Sequence, residues 1–338
     1  MSAVVDTEPP APPGRSSRPS LARLGRDTPA LQVLVLLLIF GYGAFTLRGF
    51  GSLLSVKSML LIACFVGLAA LGQTVLVLLG HLDLSVPGFI GLGNLVTAIL
   101  VGQYQWGFLP TLAVVLGASV SLGAFSGYVC HRFRVESIVI TLGMNFVVLG
   151  GLAVLAGSGV TGSAPEWLTR FASVNATTLG IPVPPLVVLW VVLAVITGLV
   201  LRRTVAGRRV YLTGANPKAA AFTLVRTGRV VVGAFVLSAV SGALTGVLLT
   251  GFSGAGDTNI GNQYLFTSLT AIIVGGTSIT GARGNYWRSV IGAVMLTILN
   301  TVLLANGFTA AEQQILFGLI ILLVALAYSR EAPLRDQV

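Results

Sequence analysis

Only 9% of the 338 residues are charged, too few for a soluble globule of this length. Two cysteines, Cys64 and Cys130, lie inside or at the end of apolar runs far apart in sequence. They make neither a disulfide framework nor a metal-ligand spacing. The two histidines, His81 and His131, stand at loop edges without companions and read as solvated polar residues. Asp, Glu, Lys and His are nearly absent from the apolar runs, and ion-coupled carriers generally need such groups within the bilayer. An energy source for transport therefore lies elsewhere, and not in this chain. There is no GxxxxGK[ST] phosphate loop, so no ATP site of that kind, and no HExxH or GxSxG. An intramembrane enzyme is the least supported class.

What is present is apolar. Mean hydropathy is +0.93 and 55% of residues are hydrophobic. The runs approach twenty residues rather than ten-residue alternations, which predicts an all-α integral membrane protein. About ten transmembrane helices are expected, at 30–47, 58–80, 86–102, 108–130, 138–156, 183–201, 229–251, 264–281, 288–305 and 313–329. The 42 glycines suit close helix packing in lipid. Residues 1–29, with six prolines and Arg15, Arg18, Arg23 and Arg26, read as a disordered cytoplasmic tail. They lack the apolar core of a signal peptide and the arginine pair of twin-arginine export.

Positive charge sets the orientation. With the N-terminus inside, seventeen Lys and Arg fall on cytoplasmic segments, and only Arg48, Lys57 and Arg170 fall outside. That bias places both termini, including a short tail at 330–338, in the cytoplasm. It also accounts for the net charge of +10 without nucleic acid. Five spans precede the external loop 157–182 and five follow, as a 5+5 inverted repeat would require. The start of that loop, GSGVTGSAPEW, suits a gate or a docking surface, and equally a connector.

The densest basic stretch is 202–229: Arg202, Arg203, Arg208, Arg209, Lys218, Arg226 and Arg229, with no acid. It separates the 30–329 membrane domain at a cytoplasmic loop, 202–228. A turn at Gly214 and Asn216 leads there into a helix-forming patch, Pro217 to Leu224. Such a loop can serve orientation alone or seat on a partner. Polar residues within or beside the apolar runs are Gln73, Thr74, Asp83, Asn94, Thr141, Asn145, Asn300 and Thr301. Singly they read as hydrogen-bonding glue between helices; as a set they are candidates for a translocation path for a neutral hydroxylated solute.

Three segments carry a resemblance. GQTVLVLLGHLDLSVPGFIGL at 72–92 contains Asp83, Leu84, Ser85 and Val86, with His81 and Pro87 where glycines are usual. TVAGRRVYLTGANPKAAAFTLV at 204–225 contains Gly207, Arg208, Gly214, Asn216, Ala219, Ala220 and Phe222. AIIVGGTSITGARGNYWRSVIGA at 271–293 contains Gly275, Gly276, Thr277, Ser278, Gly281, Arg283 and Gly284, with Ala282 in place of a second glycine. Together they resemble the permease subunits of bacterial ABC importers, in the ribose/monosaccharide branch, over roughly 50–330. The resemblance implies a type II importer-like fold and a dimer with a second permease copy or paralogue. It further implies cytoplasmic ATPase subunits holding ATP and Mg, and an extracytoplasmic solute-binding protein. A coupling helix near 217–224 would then meet the ATPase. No cofactor is implied in this chain. A self-sufficient carrier or facilitator is the alternative, and a membrane scaffold a third class.

Overall fold

The computed structural model describes residues 30–157 and 162–329, so the expected tails lie outside the described residues. Regular structure there is helical, apart from two isolated bridges. The helices are α1 (Ala30–Thr46), α2 (Leu53–Leu78), α3 (Val86–Thr97, continuing into a π-helical turn at Ala98–Gln103), α4 (Phe108–Phe133) and α5 (Ser137–Ala156). Then come α6 (Glu166–Phe171), α7 (Pro185–Arg203), α8 (Val205–Ala215), α9 (Pro217–Phe222), α10 (Thr227–Ser253), α11 (Asn262–Val274), α12 (Tyr286–Ala305) and α13 (Ala310–Ser329). Seven are long and apolar enough to cross a membrane: α2, α3 with its π turn, α4, α5, α7, α10 and α12. Shorter apolar helices are α1 and the 310–323 part of α13.

Helix α2 is the most buried of the spans. In its most apolar stretch 89% of residues are buried, against 22% for α4, so α4 turns most of its surface outward. Small residues allow this crowding. A methyl added at Gly93 of α3 would overlap the Ala243 carbonyl of α10, and one at Gly246 of α10 would overlap the Ile90 carbonyl of α3. The two backbones therefore cross in contact, the close approach that glycine permits between membrane helices. Behind α2, Trp190 of α7 covers Gly67. Its Nε1 donates to Tyr286 Oη at 3.1 Å, and that hydroxyl donates to the Gly67 carbonyl at 2.6 Å.

One expected span is cut short, and the connector between two others folds back into the bundle. The chain reverses at Gly80 (φ +79°) and runs back beside α2 without regular structure over 81–85. Gln73 Nε2 donates to the Asp83 carbonyl at 2.9 Å, five residues before the end of α2 and so about 8 Å back along its axis. The expected 264–281 span is instead the 13-residue helix α11, about 20 Å long against roughly 30 Å of hydrocarbon. Glycines at 275, 276, 281 and 284 end it early, three of them with positive φ. Segment 254–261, between α10 and α11, packs along α3 from Asn94 to Pro87.

Candidate functional site

Helix α5 carries Ser137, Thr141 and Asn145 four residues apart, hence on one face. Their side chains accept from the connector and from the first turn of α3: Ser137 Oγ from Leu82 N at 3.1 Å, Thr141 Oγ1 from Leu84 N at 3.0 Å, and Asn145 Oδ1 from Gly88 N at 2.8 Å. A connector folded back into the bundle and a helix start leave backbone N–H groups that lipid cannot satisfy, and this ladder supplies the acceptors. Pro87 sits in the first turn of α3, where a missing N–H is harmless. Asp83 is buried; its Oδ1 accepts from the Ser85 amide at 2.8 Å and from the Ser85 hydroxyl. Its Oδ2 faces the hydroxyl of Ser238 on α10, and neither atom has another partner.

Segment 254–261 is held in a comparable way from α3. Asn94 Oδ1 accepts from Asp257 N at 2.7 Å, and Asn94 Nδ2 donates to Thr250 Oγ1 at 3.0 Å and to the Ala255 carbonyl at 3.4 Å. Gly261 abuts Pro87, so that the starts of α3 and α11 meet. Asp257, Asn259, Asn262 and Gln263 are exposed there. Asn259 N donates to Asp257 Oδ1 at 2.8 Å, and Asn262 Nδ2 donates to Asn259 Oδ1 at 3.2 Å. Sequence reasoning missed this polar patch by reading the stretch as an external loop. The available signal was the cluster of Gly254, Gly256 and Gly261 with Asp257 and Asn259 between two apolar runs.

At the basic end the three motif segments converge on one carbonyl. Ala282 N donates to Leu78 O at 2.8 Å. A methyl on Gly214 of α8 would overlap that same oxygen, and one on Gly281 would lie 3.1 Å from it. Tyr211 of α8 donates to the Gly284 carbonyl at 2.8 Å. Burial pushes the Tyr211 phenol above its usual range while the nearby Arg288 charge draws it down, so it keeps its proton as a donor at neutral pH. Around this junction, Arg288 Nη1 donates to the Gly276 carbonyl at 3.0 Å, and the Arg283 carbonyl accepts from Ser278 N at 2.9 Å. Thr277 Oγ1 is buried without a partner.

The basic loop is more ordered than expected. Gly214 lies inside α8, and the break is at Asn216, whose Oδ1 caps α9 through Lys218 N and Ala219 N at 3.0 and 3.1 Å. Gly207 packs beneath α7 against Leu201, and Arg208 is exposed beside it. On α9, Ala220 faces inward (3% exposed) while Ala219 and Ala221 are exposed and Phe222 projects at 89%. The outward face is therefore aromatic rather than a strip of three alanines.

Among the expected path residues, Gln73 Oε1 accepts from Ser268 of α11 at 2.8 Å, and Thr74 pairs with Ser289 of α12 at 2.8 Å. Asn300 Oδ1 has no partner, and Thr301 donates to the Thr297 carbonyl. His81 is half-buried rather than solvated, 4.0 Å from Cys130 Sγ and packed on Phe235. His131 is exposed, and Cys64 and Cys130 are both buried and free. In the segment between α5 and α7, Leu168 fills the space beside Gly251, and Trp167 stacks edge-on to Phe108 at 4.6 Å.

These features can be set beside known proteins. No solved structure matches the chain. The ribose import permease protein RbsC of Bacillus subtilis (strain 168) is 29% identical over 276 residues, 81% of this chain and 84% of the relative. The autoinducer 2 import system permease protein LsrD of Escherichia coli (strain K12) is 27% identical over 310 residues, 89% of this chain and 91% of the relative. LsrD of Shigella flexneri matches to the same extent. A permease is a transport subunit and not an enzyme. With residues 55–325 matched by its model, the chain belongs to the family described as the permease component of the branched-chain amino acid transport system.

Proposed function

We propose that this chain is the transmembrane subunit of an ATP-driven, binding-protein-dependent importer for a monosaccharide or similar small hydroxylated solute. The observation that carries the reading is the convergence on Leu78 O: hairpin α8–α9 touches the end of α2 and the turn that follows α11 at once. Force applied to the hairpin from the cytosol reaches Asp83 through Gly80 and reaches α11 through Gly281. ATP and Mg belong to a partner ATPase, which grips the face bearing Phe222. The coupling residues are Gly207, Arg208, Gly214, Asn216, Ala219, Ala220 and Phe222, with Gly214 and Ala220 fixing the hairpin and Phe222 reaching outward.

The count of crossings is ten: the seven long helices together with α1, α11 and α13. An inverted repeat is supported by cross-packing, since α2 of the first half packs on α12 and α10 of the second half packs on α4. Each half also follows a long helix with a non-helical segment that packs back into the bundle before the next helix (α2, 81–85, α3; α10, 254–261, α11). Non-helical segments and helix starts meeting in this way commonly form the substrate path of transporters. The path therefore runs past Asp257, Asn259, Asn262 and Gln263, across from a second permease copy or paralogue, while Asp83, Asn94 and Asn145 hold its walls. Amide groups and a single carboxylate suit hydroxyls, in keeping with the ribose and autoinducer named for the relatives. Both termini lie in the cytoplasm, by the distribution of positive charge, and a binding protein delivers solute from outside.

The test is to isolate the chain with its native partners and measure ATP hydrolysis across a panel of binding proteins loaded with pentoses, hexoses and polyols. Stimulation by one sugar-loaded binding protein supports the reading. Stimulation by branched-chain amino acids and by no sugar overturns the substrate class.

A further inference from the structure

A groove of about 760 Å³ opens between α7, α8 and α10 at the basic end of the molecule. Its walls are apolar, with Ile196 and Val200 from α7, Val210 from α8, and Val230 and Leu237 from α10. Three arginines rim it: Arg209 of α8, Arg226 at the N-cap of α10 and Arg229 in its first turn. All three are exposed, and no carboxylate lines the groove. In sequence, no acid occurs between Glu166 and Asp257. The N-terminus of α10 also lacks a side-chain cap, which leaves the positive end of that helix dipole facing the same anion position.

The groove joins two environments. Helices α7 and α10 belong to the membrane-crossing set, whereas α8 and the segment carrying Arg226 lie beyond their ends. An apolar slot descending along two spans, under a cluster of unopposed guanidinium groups, matches an acyl chain below and a phosphate above. Guanidinium forks suit phosphate oxygens, and basic pockets between membrane helices bind anionic headgroups. A soluble anion would need only the arginines, and a neutral lipid only the walls.

We infer that this groove is a site for an anionic phospholipid, its phosphate held by Arg209, Arg226 and Arg229 and an acyl chain lying between α7 and α10. Because α8 and the start of α10 form two of its sides, a bound lipid braces the base of the α8–α9 hairpin against the membrane. The inference concerns lipid chemistry and does not depend on which solute is carried.

The test uses the full chain, purified in mild detergent and delipidated. It is then incorporated into nanodiscs of phosphatidylcholine with a minor fraction of phosphatidylglycerol. Lipid retained on extraction is counted by native mass spectrometry. The wild type retains phosphatidylglycerol in preference to phosphatidylcholine, and R209Q/R226Q/R229Q loses that preference by about tenfold or more. Arg170→Gln, at an exposed Glu166–Arg170 pair remote from the groove, keeps it. Since the triple variant could perturb folding, Val230→Trp with all three arginines intact provides a second arm: filling the slot lowers retention of phosphatidylglycerol. Thermal unfolding of the wild type rises with added phosphatidylglycerol and not with inorganic phosphate. Equal retention by wild type and triple variant, or an equal thermal response to inorganic phosphate, overturns the assignment.

Discussion

The Ala282 amide donates to the Leu78 carbonyl at 2.8 Å, tying the end of one buried span to the turn that follows another, more than two hundred residues away. Gly214 of the α8–α9 hairpin closes on the same oxygen. A valine at 214 cannot occupy that space, so Gly214→Val separates the hairpin from the end of α2 and the turn after α11. ATP-driven uptake should fall at least about tenfold while membrane insertion is kept. Tyr211→Phe removes only the hydrogen bond to Gly284, worth about 1 kcal/mol, and should lower uptake less. Uptake of labelled solute, normalised to inserted protein, measures both.

Ala282 itself adopts φ +58°, a left-handed conformation that costs a non-glycine residue about 1–2 kcal/mol. Ala282→Gly relieves it, offset by the greater freedom of glycine in the unfolded chain. A net gain of about 0.5–1 kcal/mol is expected, seen as a rise of a few degrees in thermal unfolding. An unchanged or lower midpoint contradicts the strain argument.

The α5 ladder predicts a graded series. Asn145→Ala leaves the buried Gly88 amide without its acceptor and should destabilise by about 1–2 kcal/mol, near the upper range for hydrogen bonds in membrane proteins. Ser137→Ala acts at the margin, where Leu82 is only half-buried, and should cost less. For Asp83, Asn keeps the Oδ1 acceptor for Ser85 and places an NH₂ beside the Ser238 hydroxyl, which can accept from it. Asp83→Asn should therefore be more stable than Asp83→Ala. Unfolding in a denaturing detergent series ranks all four.

Phe222 is 89% exposed and packs on little within the chain. Phe222→Ala should leave thermal stability within about 0.5 kcal/mol. If it anchors a partner, its loss costs about 2 kcal/mol of binding, roughly a thirtyfold weakening of ATPase association. Co-purification and titration with the partner ATPase separate the two effects.

Sequence pattern located the helices well wherever they were long and continuous, as in α4, α5, α7 and α10, because twenty apolar residues have few alternatives in lipid. It failed where an apolar run is part helix and part non-helical chain. The run through 264–281 stays apolar after Val274, so hydropathy cannot see that Gly275 and Gly276 stop the helix. The motif residues were legible one by one, but their convergence on Leu78 O was not, since it joins positions 78, 214 and 282 through backbone contacts without a side-chain signature. The inward face of Ala220 was hidden for a simpler reason: three consecutive alanines carry no amphipathic pattern to orient a six-residue helix.

The central claim is that the chain is a path worked by a separate motor. Reconstitution in liposomes, with and without the ATPase and binding protein, tests it most directly by following solute accumulation against a concentration difference. The account predicts accumulation only when both partners and ATP are present. Uphill accumulation by the chain alone, under an ion gradient and without ATP, would contradict it.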